Sequence, residues 1–116
     1  MEALAMKDMM VLSKSGTTKD QIKLDYHTLK KAVLVLRAIN HKLRQSVVDL
    51  LEKNKKLTVT EIYVKLRLEQ SVASQHLAIL RRSGVVKTER DGKFIHYTLN
   101  KTRIAEVVKL VEELAH

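Results

Sequence analysis

The chain has 116 residues, enough for one domain that buries about two-thirds of its unfolded surface, and it carries a net charge of +9. It contains no cysteine, and aromatics make up only 3% beside a 45% hydrophobic content rich in Leu, Val and Ile; this excludes disulfides, thiolate metal sites, cysteine nucleophiles and thiol redox switches, and argues against stacking single-stranded bases on aromatic platforms. No run of about 18 apolar residues occurs, and the Met-rich start carries Lys7 and Asp8, so the sequence predicts neither a membrane span nor a signal peptide, and a location in the cytoplasm.

Residues 1–18 lack firm periodicity and end in Ser15-Gly16-Thr17-Thr18. They read as a mobile N-terminal arm or a short helix, and residues 19–116 as the domain proper. Asp20 suits the cap of a helix over 20–38, in which Ile22, Tyr26, Leu29, Val33 and Leu36 recur at spacings of three and four. Asn40-His41 breaks it. A second helix over 42–53 carries Leu43, Val47, Leu50 and Leu51 on one face, and the polar stretch 53–56 turns the chain. Thr58 followed by Glu61 has the spacing of a capping box, opening a short third helix over 59–66 with Ile62 and Leu66 inward. After a brief turn at 67–70, a fourth helix over 71–83 ends at Gly84, the residue type best suited to a left-handed C-terminal cap.

The period then changes. Residues 85–90 and 94–99 are rich in β-branched and aromatic side chains, and Asp91-Gly92 between them predicts a two-residue hairpin turn. Asn100 caps a last helix over 101–115, with Ile104, Val107, Val108, Val111 and Leu114 at helical spacing. The predicted fold is mainly α with a small β-hairpin wing (α+β): a winged helix-turn-helix with five main helices.

The fourth helix divides into two faces. Ser71, Ser74, Gln75, Ala78 and Arg82 fall on one side at about 100° per residue; Ala73, Leu77 and Leu80 fall on the other. A small, polar outer face is what a helix needs to enter a major groove about 12 Å wide, where Gln75 can pair with adenine and Ala78 can approach a thymine methyl. The predicted hairpin tip carries Arg90, Asp91, Gly92 and Lys93, two cations that suit phosphates or a minor groove, although strand edges also carry such charges against aggregation. Charge is unevenly spread. From Lys65 to Arg103 nine basic residues stand against three acidic ones, whereas from Ile104 onward one lysine faces three glutamates. A basic block beside an acidic segment implies a polyanion-binding region and a separate region with another task.

The stretch from Ser71 through Ser74-Gln75-His76-Leu77 to Leu80 and Gly84-Val85-Val86, with the wing Arg90-Asp91-Gly92-Lys93 ending in Tyr97-Thr98-Leu99, resembles the ArsR/SmtB family of bacterial repressors. Val85 stands where that family's pattern usually has Leu. The resemblance covers about residues 28–115. It implies that Ser74, Gln75 and His76 lie in the recognition helix, with His76 on its flank, and that Arg90 to Lys93 form the wing tip. It also implies a homodimer in which first and last helices pack together, and this points to Leu29, Val33 and Leu36 with Ile104, Val107, Val108, Val111 and Leu114. A two-fold dimer places two recognition helices about 34 Å apart and so implies an inverted-repeat operator.

Many relatives sense metals, and the positions that would do so are altered here. Where the family's last-helix site has Asp-x-His, this chain has Lys101 and Arg103; near the helix end it has Leu114. Two cations and a leucine cannot ligate a divalent metal. Five histidines remain, His27, His41, His76, His96 and His116, and the pairs Asp25/His27 and Glu112/His116 leave an unconventional metal site as an alternative. The expected function is therefore a homodimeric, non-enzymatic, double-stranded DNA-binding repressor without cofactor. Phosphate contacts would come from Arg81, Arg82, Lys87, Arg90 and Lys93, with Gly92 at the wing tip, and base readout from Ser71, Ser74 and Gln75. A winged-helix protein-interaction module without its own operator is the competing expectation. No paired carboxylates or triad appear, and three glycines leave little for a phosphate cradle.

Overall fold

A computed structural model describes residues 25–115. The expected arm, the Asp20 cap, Ile22 and His116 lie outside them. In chain order the described elements are α1 (Tyr26–Ile39), α2 (Lys42–Asn54), β1 (Leu57–Thr58), α3 (Val59–Leu66), α4 (Gln70–Ser83), β2 (Val86–Asp91), β3 (Phe94–Leu99) and α5 (Lys101–Ala115). The chain divides into two units, residues 1–33 and 34–116, with the boundary inside α1.

In the first unit, Asp25 opens α1. Its carbonyl accepts the first helical bond, from Leu29 N at 2.9 Å, and its carboxylate accepts from His27 N at 3.2 Å, one of the amides that the helix start leaves over. Leu29 and Ala32 are buried.

In the second unit, the remainder of α1 buries Val35 and Ala38. Of the residues whose spacing marks this helix in the sequence, Leu29 is buried, Val33 half-buried, and Tyr26 and Leu36 exposed. The last carbonyls of α1 are satisfied by α2. Arg44 Nε donates to Ala38 O at 2.6 Å and Gln45 Nε2 to Ile39 O at 3.0 Å.

The core gathers Val47 and Leu51 of α2, Leu57 of β1, Ile62 of α3, Ala73, Leu77 and Leu80 of α4, and Val85, Val86 and Leu99 around the sheet. The expected capping box is present. Glu61 N donates to Thr58 Oγ1 at 3.2 Å while Thr58 N donates to the Glu61 carboxylate at 2.9 Å. Three residues then separate α3 from α4, and Arg67 takes a left-handed conformation (φ 55°) to make the tight turn of a helix-turn-helix. Gly84 ends α4 in the left-handed region (φ 86°), as its position predicts.

Two features of the sheet differ from expectation. It has three strands, ordered β1-β3-β2 and all antiparallel. The sequence reading missed β1, whose two residues are too few to show a period and whose Thr58 also caps α3. The hairpin turn is Gly92-Lys93, one residue later than expected, because Asp91 pairs with Phe94. Gly92 alone has positive φ there (63°), so the loop matches the turn type with glycine at its first central position.

The last helix starts as expected, with Arg103 N donating to the Asn100 side chain at 3.2 Å. Its inward residues are Val107 and Leu110; Ile104 is half-buried, and Val108, Val111 and Leu114 are exposed.

Candidate nucleic-acid interface

Every residue expected on the outer face of α4 is exposed: Ser71, Ser74, Gln75, Ala78 and Arg82, together with Arg81. Ala73, Leu77 and Leu80 on the opposite face are 1% exposed or less. The separation follows from the helical period alone, so the outer face is available over its full length without costing the core a contact.

His76 sits between the two faces, half-buried. Its Nδ1 lies 3.3 Å from a terminal nitrogen of Arg44, and its ring centroid lies 4.8 Å from that of His41. A guanidinium can only donate, so Nδ1 accepts and the neutral ring carries its proton on Nε2. Burial, and then the charges of His41 and Arg44, hold the His76 imidazole below its ordinary pKa and keep that neutral form. His41 in turn caps α2, its Nδ1 accepting from Leu43 N at 3.1 Å. His76 thus meets both Arg44 and His41 and ties α4 to the start of α2, an arrangement that sequence spacing did not show.

Cross-strand partners share a face of the sheet, so the register assigns each wing residue to a side. Tyr97 pairs with Thr88, and Ile95 with Arg90. Their face looks toward α4, since Tyr97 lines a groove of about 560 Å³ with Ser74, Ala78, Arg81 and Arg82. The opposite face carries Lys87 with Thr98, Glu89 with His96, and Asp91 with Phe94. Lys87 therefore points away from α4, whereas Arg90 lies on its side. Lys93 sits in the turn, its Nζ 5.6 Å from the Phe94 ring centroid. Tyr97 is the groove residue that sequence reasoning missed; its alternation with Leu99, a core residue, carried the signal.

Carboxylates neutralise little of this surface. Among the described residues, Glu89 is taken by Lys56 at 2.6 Å on the outer face, and Glu106 lies 4.0 Å from Arg103. Glu61 and Glu89 are both held below the ordinary carboxylate range, Glu61 by hydrogen bonds from Thr58 and Glu89 by its bond to Lys56. Arg81, Arg82, Lys87, Arg90 and Lys93 form no ion pair with a described residue.

At the start of α5, Arg103 donates to Ser83 O at 3.4 Å. No three His, Cys, Asp or Glu side chains among the described residues come together as a metal site. The apolar residues expected at a dimer contact divide. Leu29 and Val107 are buried within the single chain, Val33 and Ile104 are half-buried, and Leu36, Val108, Val111 and Leu114 are exposed. Among the described residues no helix is long and apolar enough to cross a membrane.

Among the described residues, five helices with a three-stranded antiparallel sheet, a three-residue turn between α3 and α4, and a basic hairpin beside α4 define a winged helix-turn-helix. The sequence model of the family described as "Bacterial regulatory protein, arsR family" matches residues 41–88. The chain is 38% identical over 84 residues to the transcriptional activator HlyU of Vibrio cholerae, an alignment spanning 72% of this chain and 77% of HlyU. It is 35% identical over 92 residues to the transcriptional repressor PagR of Bacillus anthracis, spanning 79% of this chain and 92% of PagR. The crystal structure of PagR superposes with a TM-score of 0.65 at 36% identity, covering 75% of this chain and 99% of that one. The chain belongs to the ArsR family of transcriptional regulators.

Proposed function

We propose that the protein is a repressor that binds an inverted repeat in double-stranded DNA as a homodimer. The observation that carries this reading is the outer face of α4. Ser71, Ser74, Gln75 and Ala78 are exposed along one side of it, and Arg81, Arg82 and the wing residue Tyr97 border the same groove. Ser71, Ser74 and Gln75 read base edges; Arg81, Arg82, Arg90 and Lys93 contact phosphates, with Gly92 permitting the tight wing tip and Tyr97 facing the strand between helix and wing. Lys87 contributes only to the long-range field, and His76 acts by holding α4 against α2. Exposed Leu36, Val108, Val111 and Leu114 form the contact between subunits. Lys101 and Arg103 replace the ligands of the family's last-helix metal site, so DNA release does not run through that site.

Repeated selection from random duplex DNA tests this reading. The expected product is an inverted repeat with half-sites one helical turn apart, about 34 Å. Affinity for it should fall steeply with salt as phosphate contacts release counterions. Enrichment of no sequence would point instead to a protein-interaction module, and an operator whose binding raises transcription would replace repression by activation.

A further inference from the structure

A second cavity lies on the other side of α4 from the wing. It measures about 350 Å³ and is lined by Leu34, Arg37 and Ala38 of α1, Arg44 of α2, and Ile79, Arg82 and Ser83 of α4. Its volume falls in the range of small-molecule sites, about 300–1,000 Å³. Its walls combine apolar side chains, Leu34, Ala38 and Ile79, with three arginines and, among the described residues, no carboxylate. Arg44 is pinned there by Ala38 O at 2.6 Å and by His76 at 3.3 Å, so one cation is fixed before any ligand arrives. The lowered pKa of His76 keeps that partner an acceptor. Arg82 is different: it is exposed and forms no hydrogen bond or ion pair with a described residue. It also lines the groove between α4 and the wing, and among the described residues it is the one common to both cavities.

We infer that the cavity beside α1 is an effector site for a small organic anion with an apolar tail, whose carboxylate draws Arg82 out of the DNA-facing groove. The tail lies against Leu34, Ala38 and Ile79; the charge meets Arg44 and Arg82. One guanidinium cannot serve a phosphate in one cavity and a carboxylate in the other, so ligand and DNA oppose each other by reciprocal linkage. The role in release rests on the DNA-binding reading above; the site itself does not.

The test uses the full chain and four probes: hexanoate, acetate, hexanol and inorganic phosphate. Without DNA, ligand-observed NMR should show saturable hexanoate binding. Acetate, lacking the tail, and hexanol, lacking the charge, should bind at least tenfold more weakly, and phosphate should not displace hexanoate. Leu34→Glu places a carboxylate at the rim; it should weaken hexanoate at least tenfold while leaving ligand-free DNA affinity and gel-filtration behaviour unchanged. Arg82→Gln should weaken both hexanoate and DNA. With a duplex bearing the selected repeat, saturating hexanoate should raise the DNA Kd at least fivefold in the parent and less than twofold in Leu34→Glu. No saturable hexanoate binding by a protein that still binds DNA overturns the site. Binding that ignores Leu34→Glu, that phosphate displaces, or that appears only on dilution to monomers overturns the assignment. Binding that leaves DNA affinity untouched overturns the competition. If hexanoate binds and no duplex does, the DNA reading has failed, and the effector role falls with it.

Discussion

The guanidinium of Arg103 lies directly over the α-carbon of Gly84, where a β-carbon would collide with it, and donates to the neighbouring Ser83 carbonyl at 3.4 Å. The first turn of the last helix is thereby locked to the end of α4. Gly84 is needed twice, for its positive φ of 86° and for the space its missing side chain leaves. Gly84→Ala should destabilise the fold by about 1–2 kcal/mol, the cost of an L side chain in the left-handed region together with a displaced arginine. Arg103 is flexible at its far end, so Arg103→Ala should relieve only the second part. A double-mutant cycle by urea denaturation measures that coupling.

Acid should unfold the protein partly through Glu61 and Glu89. Both carboxylates are lowered in the folded chain, Glu61 chiefly by its hydrogen bonds from Thr58 and Glu89 by Lys56. A lowered folded pKa gives stability that is fully present above the unfolded value and lost as pH falls through the folded one. Glu61→Gln and Glu89→Gln should therefore each flatten the decline of Tm below about pH 4.5 and change its slope little near neutrality. His76 has the same sign, because its folded pKa also lies below its ordinary value of 6.5. His76→Gln should remove a fall in stability on acidification from neutrality, read as Tm across that interval.

The two wing cations should behave differently although each carries one charge. Arg90 shares the face of Tyr97 and the reader-helix groove, and Lys87 the opposite face. Arg90→Ala should lower the slope of log affinity against log salt by about one, whereas Lys87→Ala should lower it by much less than one. Gln75→Ala should cost about 1–3 kcal/mol on the selected site and leave non-specific binding nearly unchanged. Anisotropy titrations with specific and random duplexes at several salt concentrations separate these effects.

Adjacent residues of α5 should separate assembly from folding. Leu110 is 9% exposed and Val111 41%. Leu110→Ala should cost about 2–4 kcal/mol of stability through the cavity it leaves. Val111→Glu should leave the fold of one chain nearly intact and shift sedimentation toward the monomer, because a charge placed between subunits lacks a partner. A Val111→Glu variant that still sediments as a dimer would move the subunit contact elsewhere.

Features governed by neighbours within four residues were legible in the sequence. The Thr58–Glu61 box, the Gly84 cap, the Asn100 cap and the two faces of α4 depend on hydrogen bonds and periods that close within one or two helical turns. So did the five helices and the basic hairpin, and with them the fold class and the candidate interface. Tertiary structure decided what lies across a gap in sequence. On α1 the small Ala32 and Ala38 are buried while Leu36 stays exposed, because burial is decided by what surrounds a helix as well as by its own hydrophobicity. The strand register moved the turn to Gly92-Lys93; alternation alone puts Lys87 and Arg90 on opposite faces of their strand, but only packing decided that the face of Arg90 looks toward α4. His76 meets Arg44 across 32 positions, and Arg82 is shared between two cavities built from three helices and the wing. No period in a sequence carries such meetings, since they arise only when separate elements are brought together by burial of a common core.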